Sequence, residues 1–476
     1  MYEHPLQKMD IVAQLKPFFE PKSIAVIGAN PNSGELAFNL VENLAQNGYR
    51  GKVYPVNPNY SEILGRKCYR NLEEIPGDID LAVILTSRNV VPDIVKQCGE
   101  KGIKAAIVVG QGFAEAEDEE GRRLQQRVVE KARKGGVRVL GPNTFGSANA
   151  YINFSTAFHK QIDMKKWPVG VISQSGLFFG TMGRMRLIGK GIDVGNACDV
   201  DFADALEYFE HDPEVKVVVL HIEGINNGKR FKEVAQRVVK AKPILAMKTG
   251  QSERAAHAAQ SHTASLIGDD AVWDAVFKQC GIIRAKSLDE LGDLVRAFLY
   301  LPLMRGRGIA IATGSGGIGI MSLDACAEYN LEVAKLSPET RRRLKAMSPP
   351  WHRIGNPLDT WPIVMLAPRP LAETFQALVT EVLKDSKVNG LVFFGGAWFE
   401  HLTPPITQVI KELADAFPDK PLAFTFCEGW LYDIRAEDLS EKLEKTGKGA
   451  IFSNPDDAIR ALSRLADYYE FRNTVK

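Results

Sequence analysis

The sequence predicts an α/β protein of three parallel-sheet domains, a doubly wound one followed by two flavodoxin-like ones. Short runs rich in Val and Ile alternate with amphipathic stretches along the whole chain, the pattern of βαβ units whose strands are covered on both faces. Glycine-rich turns fall directly after three of those runs. The stretches from Val169 to Gly176 and from Ile309 to Gly316 repeat one plan, a strand, a turn of small residues and a helix. At 476 residues the chain has room for two or three domains rather than one core.

In the first block strands are expected over Ser23 to Ile27, Lys52 to Val56, Leu81 to Leu85, Ala105 to Val109 and Val137 to Leu140, with a helix over Leu36 to Gln46. A loop from about Tyr151 to Pro168 closes that block, and the strand Val169 to Ser173 opens the second. Pro302, Gly306 and Gly308 interrupt the pattern between Leu301 and Gly308 before the strand Ile309 to Ala312. The expected domains are therefore 8–150, 151–302 and 307–470.

Composition narrows the function classes. A 45% apolar and 25% charged chain is an ordinary globular one. The 59 Lys and Arg nearly cancel the 58 Asp and Glu and are scattered, so no positive stripe follows a nucleic acid backbone. No run of about 18 apolar residues spans a membrane, and the first residues lack a signal-peptide core. The six cysteines never approach CxxC spacing, which argues against a zinc or redox site and for a reducing, cytoplasmic setting. No metal ligand set is read from this chain.

The first turn runs from Gly28 through Ala29, Asn30 and Asn32 to Gly34, between a strand and a helix, where backbone amides and the helix dipole receive phosphate. It fails the nicotinamide-dinucleotide fingerprint twice: Asn30 stands at the second glycine, and the second strand ends at Val56-Asn57-Pro58 without a ribose-binding carboxylate. Ser173, Gln174, Ser175 and Gly176 make a second phosphate-sized turn, and Gly314 to Gly319 a third. Each could instead serve fold geometry alone, as glycine often does. The four Gly-Lys pairs are followed by Val53, Gly191, Arg230 and Gly449, so the Ser or Thr of a P-loop is missing. ATP chemistry would need another chain.

Of the eight histidines, His262 lies in the most suggestive context, among small residues and hydroxyls from Ala258 to Gly268. A neutral imidazole is nucleophilic near pH 7 and can carry a phosphoryl group between donor and acceptor. The alternative is a helix-capping or buried, satisfied histidine, and His257 competes nearby. Glu223 closes the apolar run Val217 to Ile222 and so stands at the carboxyl edge of a sheet, where ligands gather. It could accept the imidazole N–H and fix its tautomer, or be an ordinary strand-end acid.

At these residues the chain resembles the α subunits of NDP-forming acyl-CoA synthetases of the acetate:CoA ligase (ADP-forming) type, which are related to succinyl-CoA synthetase. The landmarks are Ser23 to Ala29, Tyr54 to Pro58, Val139 to Asn143, Ile172 to Gly176, Ile222 to Ile225, Ser261 to Thr263 and Asn356 to Asp359, and they span nearly the whole chain. The resemblance implies an N-terminal Rossmann-like CoA-binding domain that holds CoA through Gly28, Ala29, Asn30, Asn32, Gly34 and Asn57. It implies that His262 is phosphorylated, that Glu223 orients it, and that Ser173, Gln174, Ser175 and Gly176 cradle the phosphate. It turns the Gly314 to Gly319 turn toward a nucleotide-binding partner.

The family's ATP-grasp domain is absent here, so the resemblance implies a separate ATP-grasp β subunit carrying ATP or ADP with Mg2+, and a hetero-oligomer. A small carboxylic acid and phosphate complete the reaction. The alternative is a CoA-binding regulatory protein without turnover. Two departures stand out: Ala264 where Gly is common after His-Thr, and Trp361 after the Asn-Pro-Leu-Asp-Thr run where smaller residues are usual. Trp351, Trp361, Trp398 and Trp430 are expected to pack in the core.

Overall fold

The computed structural model describes residues 10–34, 39–116, 118–157, 165–176, 188–251, 255, 269–427 and 436–474. They form two compact units, Met1–Lys286 and Ser287–Lys476.

Among the described residues the first unit holds two large sheets and a two-stranded hairpin, Glu62–Ile63 with Arg66–Lys67. The N-terminal one has five parallel strands in the spatial order Lys52–Val56, Ser23–Ile27, Leu81–Ile84, Ala105–Val108, Arg138–Leu140. Numbered along the chain this is 2-1-3-4-5, so the order reverses between the first and third strands and opens a crevice at their carboxyl ends. The all-apolar runs are explained by burial on both faces: Ile24, Ala25 and Val26 are fully buried, as are Leu81 to Ile84. The helices Val91–Lys101 and Glu119–Gly135 pack so closely that a Cβ on Gly99 would sit 2.7 Å from the Gly135 Cα. The helix predicted from Leu36 begins at Leu40, because Asn39 is extended and caps it; residues 35–38 lie outside the described ones.

The second sheet has the order Ile283–Ala285, Ile244–Lys248, Val217–Ile222, Val169–Ser173, Lys190–Asp193, Ser147–Asn149, Phe154–Ser155. Its first five strands are parallel and give 5-4-3-1-2 in chain order, the flavodoxin-like arrangement. The last two are antiparallel additions. The segment read from sequence as a loop after Tyr151 thus contains a strand, Phe154–Ser155, and Ser147–Asn149 belongs to the second sheet rather than to the first. Two- and three-residue strands rich in Ser and Asn carry too little periodicity to be recognised.

Buried ion pairs tie the two sheets together. Arg138, on the last strand of the first sheet, meets Asp199 at 3.0 Å and Asp204 at 2.6 Å and donates to the Gln14 side chain. Burial alone would lower its pKa, but the two aspartates outweigh burial and raise it. Lys190 is buried against Asp212 of its own layer at 2.6 Å and reaches Glu20, just ahead of the first sheet, at 3.6 Å.

The second unit carries a parallel sheet in the order Glu332–Val333, Gly308–Thr313, Gly390–Gly396, Leu422–Cys427, Ala450–Phe452, with Leu358–Asp359 pairing the end of Gly308–Thr313. It reverses order at its first strand as the others do. Asn356 explains part of one sequence landmark: its side chain accepts from the Ile311 amide and donates to the Ile309 and Ala334 carbonyls, filling a gap where a strand would pair. The helix Leu288–Tyr300 belongs to this unit, packed on Pro455–Thr474, although the break in pattern lies only after Leu301. No helix among the described residues is long and apolar enough to cross a membrane.

Candidate active site

Each of the three large sheets presents its glycine-rich turn at the point where its strand order reverses. In the first, Gly28 follows Ile27 in the left-handed region (φ 85°), and a Cβ there would lie 3.0 Å from the Thr86 methyl and 3.2 Å from the Leu85 carbonyl. The turn is held by asparagines. The Asn57 amide donates to the Ala29 carbonyl at 2.7 Å, and the Asn39 amide donates to the carbonyls of Asn30 at 2.9 Å and Asn32 at 2.6 Å. Asn30 accepts from the Asn32 amide, and Gly34 donates to Glu42. The three carbonyls are thereby neutralised by donors, so the turn does not present bare oxygens to a polyanion. Asn39 also caps the helix Leu40–Gln46 by accepting from Val41 and Glu42. On the facing strand end the Thr86 hydroxyl is buried without a hydrogen-bond partner. A glycine cradle, satisfied carbonyls and an orphaned hydroxyl fit a phosphate-bearing ligand.

In the second sheet the crevice lies between Val169–Ser173 and Val217–Ile222. Ser173 is in register with Asp193 on one side and His221 on the other, which puts three polar residues in a row across the carboxyl edge. The Ser173 hydroxyl donates to the Ser175 carbonyl at 2.9 Å, accepts from its amide, and lies 3.5 Å from His221 Nδ1. Gln174 spans the crevice: its amide donates to the His221 carbonyl, and its Oε1 accepts from both Glu223 and Gly224 amides at 2.9 Å. Glu223 is buried at this point, 7% exposed. Gly176 must be glycine, since a Cβ would be 2.4 Å from the Phe145 ring. The predicted turn and the predicted carboxylate are thus brought together. His262 and its competitor His257 lie outside the described residues.

Three polar residues here escaped sequence reasoning. His221 was absorbed into an apolar run, yet it is buried with its pKa pushed down to about 4 by burial and the nearby Lys248, so it is neutral at pH 7. Burial also lowers the Lys248 pKa, and its ammonium stacks 5.5 Å from the Trp273 ring. Asp193 is fully buried, accepts from the Phe145 amide at 2.7 Å and the Gly195 amide at 3.2 Å, and is pushed up to about 7, by burial first, with Glu223 adding to the rise. The available signal was positional: a polar residue at the last or next-to-last place of a buried strand.

The third crevice repeats the second. Thr313 donates to the Ser315 carbonyl and accepts from its amide, as Ser173 does with Ser175, and the Gly314 amide donates to the Phe394 carbonyl as Gln174 does to His221. A cavity of about 370 Å3 opens there, walled by Trp361, Val364, Met365, Phe393, Phe394 and Phe399. Trp361 is 45% exposed and Trp351 67%, so the expectation of core packing fails for both: they follow loops and sit at the surface. The side chains of Trp398 and Trp430 lie outside the described residues.

Comparisons with known proteins agree with this architecture. Residues 22–150 match the CoA binding domain family, 166–298 the succinyl-CoA ligase like flavodoxin domain and 309–445 the ligase-CoA domain. The chain is 37% identical to the acetate–CoA ligase [ADP-forming] II subunit alpha of Pyrococcus furiosus, over 94% of this chain and 96% of that one. It is 36% identical to the acetate–CoA ligase [ADP-forming] II of Archaeoglobus fulgidus, over 97% of this chain but 68% of that longer one. A solved acetyl-coenzyme A synthetase 1 of Ca. Korarchaeum cryptofilum, in complex with phosphate and ADP, superposes with a TM-score of 0.84 at 30% identity, over 97% of this chain and 98% of that one. A three-sheet architecture, matched in order by these domain families and end to end by separate α subunits, places the chain in the ADP-forming acetate–CoA ligase family, as an α subunit.

Proposed function

We propose that the chain is the CoA-binding, phosphohistidine-carrying subunit of an ADP-forming acyl-CoA synthetase, and that His262 and Glu223 carry its chemistry. The γ-phosphoryl of ATP, held with Mg2+ on a partner's ATP-grasp domain, passes to a His262 ring nitrogen and leaves ADP. A carboxylate oxygen of the acid then takes the phosphoryl group and frees the imidazole. The CoA thiol, losing its proton, attacks the acyl carbon; the acyl–oxygen bond breaks and phosphate departs. Each step is reversible.

The observation that carries this reading is the second crevice, where Gln174 pins the Glu223 and Gly224 amides beside the Ser173 to Gly176 turn. A carboxylate fixed in place can hold a histidine's tautomer while hydroxyls and turn amides take the phosphate charge, which is positioning and charge stabilisation rather than new covalent chemistry. For CoA, the fitting residues are the Gly28 to Gly34 turn, Asn57 and Thr86, which would receive its phosphate-bearing end. We place this catalysis in a cytoplasmic hetero-oligomer; the separate α subunits of Pyrococcus furiosus support the hetero-oligomer, and the 68% coverage of the Archaeoglobus fulgidus relative supports a fused form of the same assembly.

The test uses the purified complex of this chain with its nucleotide-binding partner and ATP labelled at the γ-phosphate. Acid-labile, base-stable label is expected on the wild-type chain and absent from His262→Ala. Label of the same amount on the variant would place the phosphoryl carrier elsewhere.

A further inference from the structure

Arg138, Lys190 and Lys248 are the buried Lys and Arg side chains among the described residues. Arg138 is matched by Asp199 and Asp204, and the Lys190 ammonium lies 2.6 Å from both Asp212 and Glu214. Lys248 differs. It is 1% exposed, its ammonium donates to the Thr249 carbonyl and faces the Trp273 ring, and no described carboxylate pairs with it. The acids of the neighbouring helix Asp270–Cys280 are spent elsewhere, since Asp270 and Asp274 both bridge to Arg284. A carbonyl and a ring face offset only part of the cost of burying a full charge. An ammonium kept in such a place is held ready for an anion that comes and goes.

Its place in the sheet identifies the anion. Lys248 ends the strand Ile244–Lys248 in register with Ile222, so it stands at the carboxyl edge beside Glu223, on the strand next to the one that pairs with Ser173. That edge is pinned: the Thr249 amide donates to the Ile222 carbonyl at 3.1 Å, and the Gln251 side chain donates to the Lys248 carbonyl at 2.7 Å. The side chains described in the second crevice bring no positive charge, because Ser173, Gln174 and Ser175 are neutral, His221 is neutral at pH 7 and Glu223 is an acid. A phosphoryl group adds about two negative charges. Beside a carboxylate at a buried edge, that charge needs a cation. We propose that Lys248 is the charge partner of the second crevice, kept as an ammonium to offset the phosphoryl group received there. This rests on the ligase reading and adds to it a positioning residue that acts through space and does not touch the reacting atoms. Its surroundings set when the charge is lost. Burial lowers its pKa first of all; Asp270 and Glu223 oppose the fall, Arg284 on the strand Ile283–Ala285 adds to it, and the adjacent His221 is neutral. The ammonium is therefore given up at lower pH than on an exposed lysine.

The test follows phosphorylation of the complex by γ-labelled ATP in rapid quench, between about pH 6 and 10, for the wild type, Lys248→Met and Lys248→Arg. Lys248→Met is expected to slow the step by on the order of 100-fold, the loss that follows removal of one preorganised charge-stabilising group. Lys248→Arg keeps the charge and is expected to stay within about tenfold of the wild type. The wild-type rate is expected to fall on the alkaline side as the ammonium is lost, a limb that Lys248→Arg moves upward and Lys248→Met abolishes. Thermal melting separates this from a structural role: Lys248→Met removes a buried charge without a counter-ion, so it should melt at or above the wild-type temperature while phosphorylating slowly. A wild-type rate in Lys248→Met, a rate and melting temperature that fall together in it, or an alkaline limb unmoved in both variants overturns the proposal. Failure of the ligase reading looks different: no label on the wild type at any pH. Calorimetry with inorganic phosphate then decides, with binding expected about tenfold weaker in Lys248→Met, and unchanged binding overturns the proposal.

Discussion

Replacing Gln174 with leucine would remove the one acceptor that serves two buried amides. Both bonds to Oε1 are 2.9 Å long, and Glu223 and Gly224 are buried at that point. An orphaned buried donor costs about 1–3 kcal/mol, so the pair is worth about 2–6 kcal/mol. Leucine's own apolar burial returns up to about 1 kcal/mol, which leaves roughly 3 kcal/mol. The chain has several sheets, and a single global unfolding energy does not describe it, so the local opening is what should be read. Amide hydrogen exchange resolved to the segment 217–224 would report it: about 3 kcal/mol corresponds to exchange faster by on the order of 100-fold, with the strands of the second unit unchanged. With Glu223 no longer fixed, phosphorylation of the carrier histidine in a rapid-quench experiment should slow at least tenfold while CoA affinity stays as it was. Unchanged exchange across 217–224 would show that the Gln174 bridge does not hold the crevice.

Two further outcomes follow from the geometry. Gly28→Ala forces a Cβ into the left-handed region, at about 1–2 kcal/mol, and against Thr86 and Leu85; the Michaelis constant for CoA should rise about tenfold with that for the acid unaltered. Asp193 has its folded pKa raised to about 7 from the ordinary carboxylate range, so its contribution is full below about pH 4 and is lost as pH rises to 7, because the unfolded chain gives up the proton first. The rise of Asp193 to about 7 is worth up to about 4 kcal/mol. Thermal melts between pH 4.5 and 7.5 should therefore show the wild type losing stability relative to Asp193→Asn as pH rises, and parallel curves would contradict the assignment.

How far the sequence revealed this molecule depends on which physical signal each part left in it. Strands such as Ser23–Ile27 and Gly308–Thr313, buried on both faces, left uninterrupted apolar runs that name themselves, and the turns after them followed from the need for small residues where backbone meets backbone. Glu223 was legible because it ends such a run. His221, Asp193 and Lys248 were not, because one polar residue inside a Val- and Ile-rich segment reads as noise until register shows that it shares an edge with Ser173 or Ile222. The strands Ser147–Asn149 and Phe154–Ser155 were invisible for a different reason: Ser147–Asn149 is held by pairing with Lys190–Asp193, some forty positions away, and Phe154–Ser155 pairs in turn with Ser147–Asn149, so neither rests on a strong local preference.

The three crevices share one topology, and their chemistry diverges through the side chains that follow the first strand. Topology alone fixes where ligand will sit, since a sheet whose order reverses at its first strand leaves a gap between two carboxyl ends that no helix covers. What the gap takes is then decided by three or four residues. Asparagine amides on carbonyls make the first fit a phosphate-bearing ligand. A glutamine bridge, a buried carboxylate and a neutral histidine line the second with fixed polar groups. Glycines at the equivalent places, with rings behind them, leave the third a hydrophobic space. The same backbone hydrogen bonds, Gln174 to His221 and Gly314 to Phe394, hold the second and third gaps open to similar geometry. A single exchange of side chains at position 314 should therefore move the third crevice toward the character of the second without refolding the sheet.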